Sequence, residues 1–453
     1  MEIKELYSIF RKCGKVATDS RKICGGELFF ALKGENFDGN EYAVRALDAG
    51  AAYVVVNAGA SICADAGKFM DLEGNSRVIV VDDTLTILQE LARWHREHVL
   101  GDDKRLTIIG ITGTNGKTTT KELIKAVLLE KYDVIATEGN LNNDIGVPLS
   151  VLKLTSSTEI AVIEMVASHT DDIKHLVRVC DPDYGIVTNV GKGHLLGFGN
   201  FDGVRRAKGQ LYDYINDFGK AVFINVDDPV LVDMAEERKG ISLIPYGLKH
   251  DSCTVLETTE DNPFLNMRLH DGAILNTKLV GTYNAANVLA ALCIGRYFEV
   301  PEDVAMKAVS GYVPSNSRSQ MVRTEHNNII VDAYNANPAS MAASLANFAH
   351  IYAQRKAAFL GNMLELGVDS VSEHIAILEL AMKSGIDIIC LVGEEFKKAL
   401  DRTGIVPAEH SGIRWYQTSQ ELADSLKKNP LIGYTILVKG SRGTRMENTI
   451  PAL

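Results

Sequence analysis

A glycine-rich segment between an apolar run and a helical pattern constrains this chain more than any other feature. The segment Gly113-Thr114-Asn115-Gly116-Lys117-Thr118 follows the apolar run from Leu106 to Ile111 and opens a helical pattern that extends from Thr119 to Glu130. Glycines let backbone N–H groups converge on phosphate oxygens, and the N-terminus of the following helix adds positive potential. Lys117 can reach the β- and γ-phosphates, and Thr118 can hold Mg²⁺. The segment therefore predicts a nucleotide phosphate loop.

The match to the usual phosphate-loop spacing is incomplete. Ile111 stands where the first glycine of G-x-x-x-x-G-K-[ST] is expected, although Gly110 and Gly113 lie on either side of it. The alternative interpretation is a glycine turn between a strand and a helix, and the Gly-Lys-Thr sequence in this context disfavours it.

Size and composition limit the classes of protein that this chain can belong to. Its 453 residues predict about three domains, because a single core does not grow to this size. The net charge of −11, from 47 basic and 58 acidic residues, disfavours a general nucleic-acid or membrane-surface binder. No run is long and apolar enough to span a bilayer, and the polar N-terminus lacks the apolar core of a signal peptide, so we expect a cytoplasmic protein. Seven scattered cysteines predict neither a disulfide framework nor a zinc site.

Three successive blocks of alternating strands and helices are predicted, which is typical of an α/β fold. We expect domains at residues 1–83, 84–313 and 314–453. The central one has a doubly wound, mostly parallel sheet with the phosphate loop, and the C-terminal one is Rossmann-like but lacks G-x-G-x-x-G. The predicted strands are Gly26 to Lys33, Ala51 to Val56, Arg77 to Val81, Leu106 to Ile111, Ile160 to Val166, Tyr184 to Val190, Ala221 to Val226, Ile329 to Ala333, Ala357 to Gly361, Ile386 to Val392 and Thr435 to Lys439.

Four residues are candidates for one metal and phosphate site: Thr118, Glu164, His194 and Lys208. Ligands gather at the carboxyl ends of the strands in doubly wound sheets, where the phosphate loop, Glu164 and His194 are all predicted to lie. Oxygen and imidazole donors suit the Mg²⁺ that ATP chemistry needs. Taken singly, Glu164 could cap a helix, His194 could be a loop histidine and Lys208 a solvated lysine. Lys208 is the least expected member, because Mg²⁺ repels an ammonium group.

An ordered series of short motifs extends along the chain. It consists of Thr18 to Arg21, Ala31 to Gly34, Phe37 to Gly39, Gly113 to Thr120, Asn140 to Asn143, Gly146 to Pro148, Glu164-Met165, Thr188 to Gly191 with His194, Ala207 to Gly209, Tyr283 to Asn287, Arg318, Asp332 to Pro338, Met363 to Gly367 and Lys439 to Gly443. This series resembles that of the Mur ligases, which are ATP-dependent amide-forming enzymes of peptidoglycan precursor synthesis. Within that resemblance, Asp332 to Pro338 and Met363 to Gly367 favour the member that adds D-alanyl-D-alanine to UDP-N-acetylmuramoyl-tripeptide.

The resemblance implies a role for each site residue. Lys208 would react with CO₂ to form an anionic carbamate, which removes its conflict with Mg²⁺, and would organise two Mg²⁺ ions with Thr118, Glu164 and His194. Lys117, Glu164, His194, Lys208 and Arg318 are the implied catalytic residues. The implied ATP-binding residues are Gly113, Thr114, Asn115, Gly116, Lys117, Thr118, Thr119, Asn287, Arg318, Asp332, Tyr334, Asn335 and Asn337. The implied UDP-substrate-binding residues are Ser20, Arg21, Asn142 and Asn143.

The expected reaction is ligation through an acyl phosphate, with ATP and Mg²⁺ as cofactors, D-alanyl-D-alanine and UDP-N-acetylmuramoyl-tripeptide as substrates, no nucleic-acid partner and a monomeric enzyme. Two alternatives within the enzyme class are a Mur-type ligase for a single amino acid and a folate-type glutamate ligase. A nucleotide-switch binding module is the alternative from another class. It would explain the phosphate loop, but neither the first block nor the C-terminal Arg318 and Asp332.

Overall fold

The computed structural model describes residues 1–34, 37–59, 63–64, 68–69, 76–101, 106–193, 195–259, 262–315, 317–408 and 412–453. It has the three-domain α/β architecture that the sequence predicts, with one main sheet in each part of the chain. Among the described residues, no helix has both the length and the apolar character needed to cross a bilayer.

The first sheet is small and entirely parallel. Its strands, in spatial order, are Val16–Ala17, Leu28–Phe30, Tyr53–Asn57 and Val78–Val81. The nearby helices are Ile3–Cys13, which the sequence did not predict, Ala43–Asp48 and Thr84–His98. The strand predicted from Gly26 to Lys33 is shorter than expected, because the chain leaves the sheet after Phe30. Apolar residues of the helix Thr84–His98 share one core with Leu6 and Phe10 of the first helix and with Val147 of the central part.

The central sheet contains six parallel strands and carries the phosphate loop. In spatial order its strands are Leu243–Tyr246, Ala221–Asn225, Tyr184–Val187, Thr107–Thr112, Ile160–Glu164 and Val134–Ala136. Its helices are Lys117–Leu128, Gly146–Val151, Asp172–Cys180, Leu195–Phe198, Phe201–Phe218, Pro229–Glu236, Ala285–Tyr297 and Glu302–Gly311. The chain proceeds to opposite sides of Thr107–Thr112, so a topological switch point lies at the carboxyl end of that strand.

A three-stranded antiparallel sheet within the second block was not predicted. It consists of Thr254–Val255, Phe264–Arg268 and Ile274–Val280. Leu265, Met267 and Leu279 lie in the same apolar core as the helix Lys117–Leu128. This sheet therefore packs against the central part of the chain through a shared apolar core.

The C-terminal sheet has six strands, of which one edge strand is antiparallel. In spatial order the strands are Gln320–Arg323, Asn328–Asp332, Thr435–Lys439, Lys356–Gly361, Ile388–Val392 and Ile413–Tyr416. The helices are Pro338–His350, Ser370–Lys383, Glu394–Thr403 and Ser419–Lys428. Apolar clusters lie on both faces of the sheet, as expected for a Rossmann-like domain. The neighbouring strands Asn328–Asp332 and Thr435–Lys439 end side by side at Asp332 and Lys439.

Candidate active site

The phosphate loop has the backbone conformation that its glycines permit. Gly113 and Gly116 have φ angles of 143° and 80°, in the region that residues with a Cβ rarely adopt. A Cβ at Gly113 would lie 2.0 Å from Thr188 Oγ1, and a Cβ at Gly116 would lie 2.8 Å from Asn287 Oδ1. The helix begins at Lys117, two residues earlier than the sequence pattern suggested. The loop N–H groups thus precede a helix N-terminus directly, as an anion site requires.

Two neighbouring residues brace this loop from the next strand. The Asn115 N–H donates to Asn189 Oδ1 at 3.0 Å, and the Thr114 N–H donates to the Asn189 carbonyl at 3.0 Å. Thr188 donates its hydroxyl to the Asn115 carbonyl at 2.6 Å. Thr188 and Asn189 belong to one of the motifs of the sequence. Nothing in the local sequence indicates that they contact a loop more than 70 residues away.

Lys117 lies inside the loop. Its Nζ donates to the Gly113 and Thr114 carbonyls at 2.8 and 3.2 Å. Burial lowers the pKa of Lys117 to about 8, the Glu164 carboxylate opposes this shift, and the Arg318 guanidinium adds to it. Arg318 belongs to the C-terminal part of the chain, so charges from two parts of the molecule act on this amine.

A hydroxyl, a carboxylate and an amide meet beside the loop. Thr118 donates to Glu164 Oε2 at 2.8 Å, and the Asn142 amide donates to Glu164 Oε1 at 2.8 Å. Glu164 is 1% exposed and ends its strand, as predicted. Hydroxyl and carboxylate oxygens are the hard donors that Mg²⁺ prefers, so Thr118 and Glu164 fit a magnesium site. Within the described ranges no group of three or more His, Cys, Asp or Glu side chains is close enough to hold a metal alone.

Lys208 is buried rather than solvated. It lies on the helix Phe201–Phe218, is 2% exposed, and has its Nζ 5.7 Å from the centre of the Phe198 ring. Burial and then the charge of Lys117 hold the pKa of Lys208 well below its ordinary value, against an opposing effect of Asp172. This environment therefore disfavours the charged ammonium form. His194, the remaining proposed metal ligand, lies outside the described residues.

The C-terminal sheet supplies the opposite wall. Asp332 and Lys439 are cross-strand neighbours and form a buried ion pair, and Ser344 donates to Asp332 at 2.9 Å. The Arg318 guanidinium stacks on Tyr334 with its carbon 3.8 Å from the ring centre. Arg318 Nε is buried and has no hydrogen-bond partner within the described part of the chain. An orphaned buried donor at a cavity wall indicates an anionic or oxygen-bearing ligand.

One cavity of about 580 Å³ unites the two walls. Asn337 spans them directly, because its Nδ2 donates to Asn115 Oδ1 at 2.8 Å. Most of the predicted ATP-binding residues line the cavity: Thr114, Asn115, Gly116, Lys117, Thr119, Asn287, Arg318, Asp332, Tyr334, Asn335 and Asn337. Glu164 and Asn142 line it as well. The cavity also contains residues to which sequence reasoning gave no role: Asn140, Asn189, Ser319, Ala343, Ser344, Glu365 and Arg442.

Three of the four predicted UDP-substrate residues lie elsewhere. Ser20 and Arg21 lie beside the first sheet, where Arg21 pairs with Asp19 at 2.9 Å, and neither lines the cavity. Asn143 accepts from the Gly146 N–H at 2.9 Å and so helps to begin a helix. Asn142 is the exception, because its side chain lines the cavity and donates a hydrogen bond to Glu164.

Comparison with known proteins identifies the family. The chain matches the Mur ligase family catalytic domain over residues 14–96, the Mur ligase middle domain over 111–295, and the Mur ligase glutamate ligase domain over 317–442. A UDP-N-acetylmuramoyl-tripeptide–D-alanyl-D-alanine ligase from Bacillus subtilis is 33% identical over 444 residues, which are 97% of this chain and 92% of that protein. The chain belongs to the Mur ligase family.

Solved structures agree with this assignment. MurF from Acinetobacter baumannii has a TM-score of 0.79 at 25% identity, with 96% of this chain and 92% of that one covered. A MurF ligase from Thermotoga maritima in complex with ADP has a TM-score of 0.78 at 25% identity, with 97% and 96% covered. The similarity extends through all three sheets.

Proposed function

We propose that this Mur ligase adds D-alanyl-D-alanine to UDP-N-acetylmuramoyl-tripeptide at the expense of ATP. The observation that carries the proposal is the cavity in which Lys117 of the phosphate loop faces Arg318 and its orphaned Nε. A nucleotide switch needs the first wall only. The relative from Bacillus subtilis, similar over nearly the whole chain, carries this activity in its name and supports the choice of member.

In the proposed reaction a carboxylate oxygen of the tripeptide attacks the γ-phosphorus of ATP, and the bond to ADP breaks. The amine of D-alanyl-D-alanine then attacks the acyl carbon of the acyl phosphate, loses a proton and expels inorganic phosphate. The protein contributes position and charge rather than a covalent intermediate of its own. Lys117 and Arg318 neutralise the transferred phosphoryl group from opposite walls. Asn287, Asp332, Tyr334, Asn335 and Asn337 hold the nucleotide.

Thr118, Glu164, His194 and Lys208 are the proposed metal ligands. When bound, Mg²⁺ supplies charge neutralisation at the phosphates. Asn142 orients Glu164 for this role through its 2.8 Å hydrogen bond. Lys208 reacts with CO₂ by attack of its neutral amine on carbon and release of a proton, which leaves an anionic carbamate. Burial lowers the pKa of Lys208, which supports this step, because an ammonium has no lone pair for the attack.

Ser20 and Arg21 are proposed to hold the UDP end of the first substrate, with Asn142 and Asn143 further along the sugar-peptide. We also propose domain boundaries at 1–83, 84–313 and 314–453, and a monomeric enzyme acting in the cytoplasm, where ATP is abundant.

A panel of amines tests the proposal. Purified protein with ATP, Mg²⁺ and UDP-N-acetylmuramoyl-tripeptide is supplied with D-alanyl-D-alanine, D-alanine, L-lysine, diaminopimelate or L-glutamate, and the products are read by mass spectrometry. We expect D-alanyl-D-alanine to exceed each free amino acid by at least about a hundredfold in kcat/KM, roughly 2.7 kcal/mol in transition-state binding. Preference for a free amino acid would overturn the choice of member. Phosphate release that needs no amine would favour a nucleotide switch.

A further inference from the structure

A cation at the rim of the cavity has no role in the reaction as described so far. Arg442 follows the strand Thr435–Lys439, begins a short 3-10 helix and is exposed. Its Nη1 donates to the Tyr334 hydroxyl at 3.3 Å, and its guanidinium carbon lies 5.4 Å from the centre of that ring. Among the residues that the structure describes, it forms no ion pair with a carboxylate. It is therefore free to bind an anion.

The other cations of the cavity are already engaged. Lys439 is paired with Asp332, and Lys117 lies on the loop carbonyls near Glu164. Arg318 stacks closely on Tyr334, is half-buried, and acts electrostatically on Lys117. Arg442 contacts the same tyrosine but is exposed, whereas Arg318 is half-buried. Arg442 is therefore the cation of the cavity that is available to an anionic group of the second substrate.

The loop that carries Arg442 is fixed against a second loop with apolar character. Ser441 accepts from the Leu364 N–H at 3.0 Å, and the Ser441 N–H donates to the Asn362 carbonyl at 3.0 Å. Leu364 Cδ1 would lie 3.0 Å from a Cβ on Gly443, so Leu364 covers the glycine that follows Arg442. Leu364 is 45% exposed and lines the cavity. An apolar side chain beside a guanidinium suits a ligand that carries a methyl group next to a carboxylate.

The carboxylate of a dipeptide is farther from its amine than that of a single amino acid. Two extended residues span about 7 Å, so a dipeptide whose amine attacks near the phosphoryl group holds its carboxylate one residue farther out than a single amino acid does. We propose that Arg442 binds the terminal carboxylate of the incoming dipeptide, with Leu364 against its terminal methyl group. This inference rests on the proposed function and makes Arg442 a specificity-determining residue.

A neutral analogue of the dipeptide tests this role. D-Alanyl-D-alaninamide keeps the amine and both methyl groups but lacks the carboxylate. We expect wild-type protein to prefer D-alanyl-D-alanine over this amide by about 10- to 100-fold in kcat/KM, the usual range for a charge-assisted hydrogen bond. Arg442→Gln should reduce that preference to less than about threefold, chiefly through the KM for the dipeptide, and leave the KM for ATP unchanged. Arg442→Lys should retain part of the preference, because it keeps the charge but not the planar fork.

Arg445→Gln is the matched control. It makes the same change three residues later, at an exposed position that does not line the cavity, and should keep the full preference. Retention of the wild-type preference by Arg442→Gln would overturn the inference, and so would equal losses with both substrates accompanied by a higher KM for ATP. Those outcomes leave the proposed function intact. A wild-type protein that ligates neither dipeptide would instead overturn the proposed function and this inference together.

Discussion

The two walls of the cavity are built in different ways. The central wall is built around one continuous segment, in which backbone N–H groups and Lys117 follow each other along a loop. The C-terminal wall has no such loop, and Arg318, Asp332 and Lys439 come together there from separate segments. The shape of a continuous loop can be predicted from its local sequence, whereas the contacts between dispersed side chains cannot. Substitutions in the two walls should therefore affect different properties, namely activity in the central wall and stability in the C-terminal wall.

The largest expected effect on stability belongs to the C-terminal wall. Asp332→Ala leaves the Lys439 ammonium buried without its partner, and loss of one member of a buried pair costs about 3–5 kcal/mol of unfolding free energy. Denaturant unfolding measures this cost. Asp424→Ala, which removes a surface carboxylate paired with Lys427, is the control and should change stability little. An Asp332→Ala protein as stable as wild type would mean that the pair does not hold the two strands together.

The same pair predicts a dependence on pH. Burial by itself would raise the pKa of Asp332, but Lys439 and hydrogen bonds from Ser344 and the Ser319 N–H lower it overall. Because the folded pKa lies below the unfolded one, this stabilisation is complete above the ordinary aspartate pKa and is lost as the pH falls through the folded value. Asp332→Asn should lack this component of acid destabilisation. Unfolding curves between pH 5 and pH 2.5 compare the two proteins.

The phosphate-loop wall should lose activity without losing stability. Lys117→Ala removes a cation from the transferred phosphoryl group, and we expect kcat to fall by roughly a hundredfold or more while the fold remains intact. Ligation with saturating substrates, together with thermal unfolding, separates the two effects. Lys125→Ala, on the same helix but not in the cavity lining, should behave like wild type. A turnover near that of wild type in Lys117→Ala would show that the phosphate loop does not take part in phosphoryl transfer.

A substitution at Lys208 tests whether a carbamate on this buried side chain acts as a metal ligand. Lys208→Ala should lower activity by about 10- to 100-fold, and short carboxylic acids should restore part of it by replacing the carbamate oxygens. Activity is measured with and without added acetate or formate. Mass spectrometry of the intact wild-type protein under CO₂ should detect the adduct. Loss of activity with no rescue, in protein that carries no adduct, would contradict the carbamate.

The smallest effect is expected where the two walls touch. Asn337→Ser keeps a side chain that can cap the helix Pro338–His350 but removes the amide that donates to Asn115. One hydrogen bond is worth about 1 kcal/mol, so the KM for ATP should rise about fivefold. Asn448→Ser makes the same change at an exposed position that does not line the cavity and provides the comparison. If both variants have the wild-type KM, the bridge does not help to bind nucleotide.

Sequence reasoning predicted the main strands of the sheets well because their apolar runs are long and buried. Thr435–Lys439 has the predicted limits, and the strands that begin at Ile160 and Tyr184 start where expected. The antiparallel sheet around Phe264–Arg268 was missed, since its short strands carry polar residues such as Asn266 and resemble loops. Four of the described cysteines, including Cys180 and Cys390, are buried small side chains.

For the candidate site, motifs indicated which residues matter but not what they contact. Asn142 is predicted to bind the sugar-peptide, and the structure adds that its amide donates a hydrogen bond to Glu164. Arg442 lies in one of the motifs, but its contact with Tyr334 cannot be predicted from the sequence, because the two residues follow strands that are distant in the chain. The lowered pKa of the Lys208 amine follows from its burial, which the sequence does not show.

The sequence by itself determined the phosphate loop, the alternation of strands and helices, and the family, because each depends on residues close together in the chain or on their order. Only the tertiary structure decided that Asn337 reaches Asn115, that Arg318 acts on Lys117, and that Arg442 contacts Tyr334. These facts depend on distances between residues that are far apart in sequence. Such distances, together with burial, set the pKa values and the unpaired charges from which the chemistry follows.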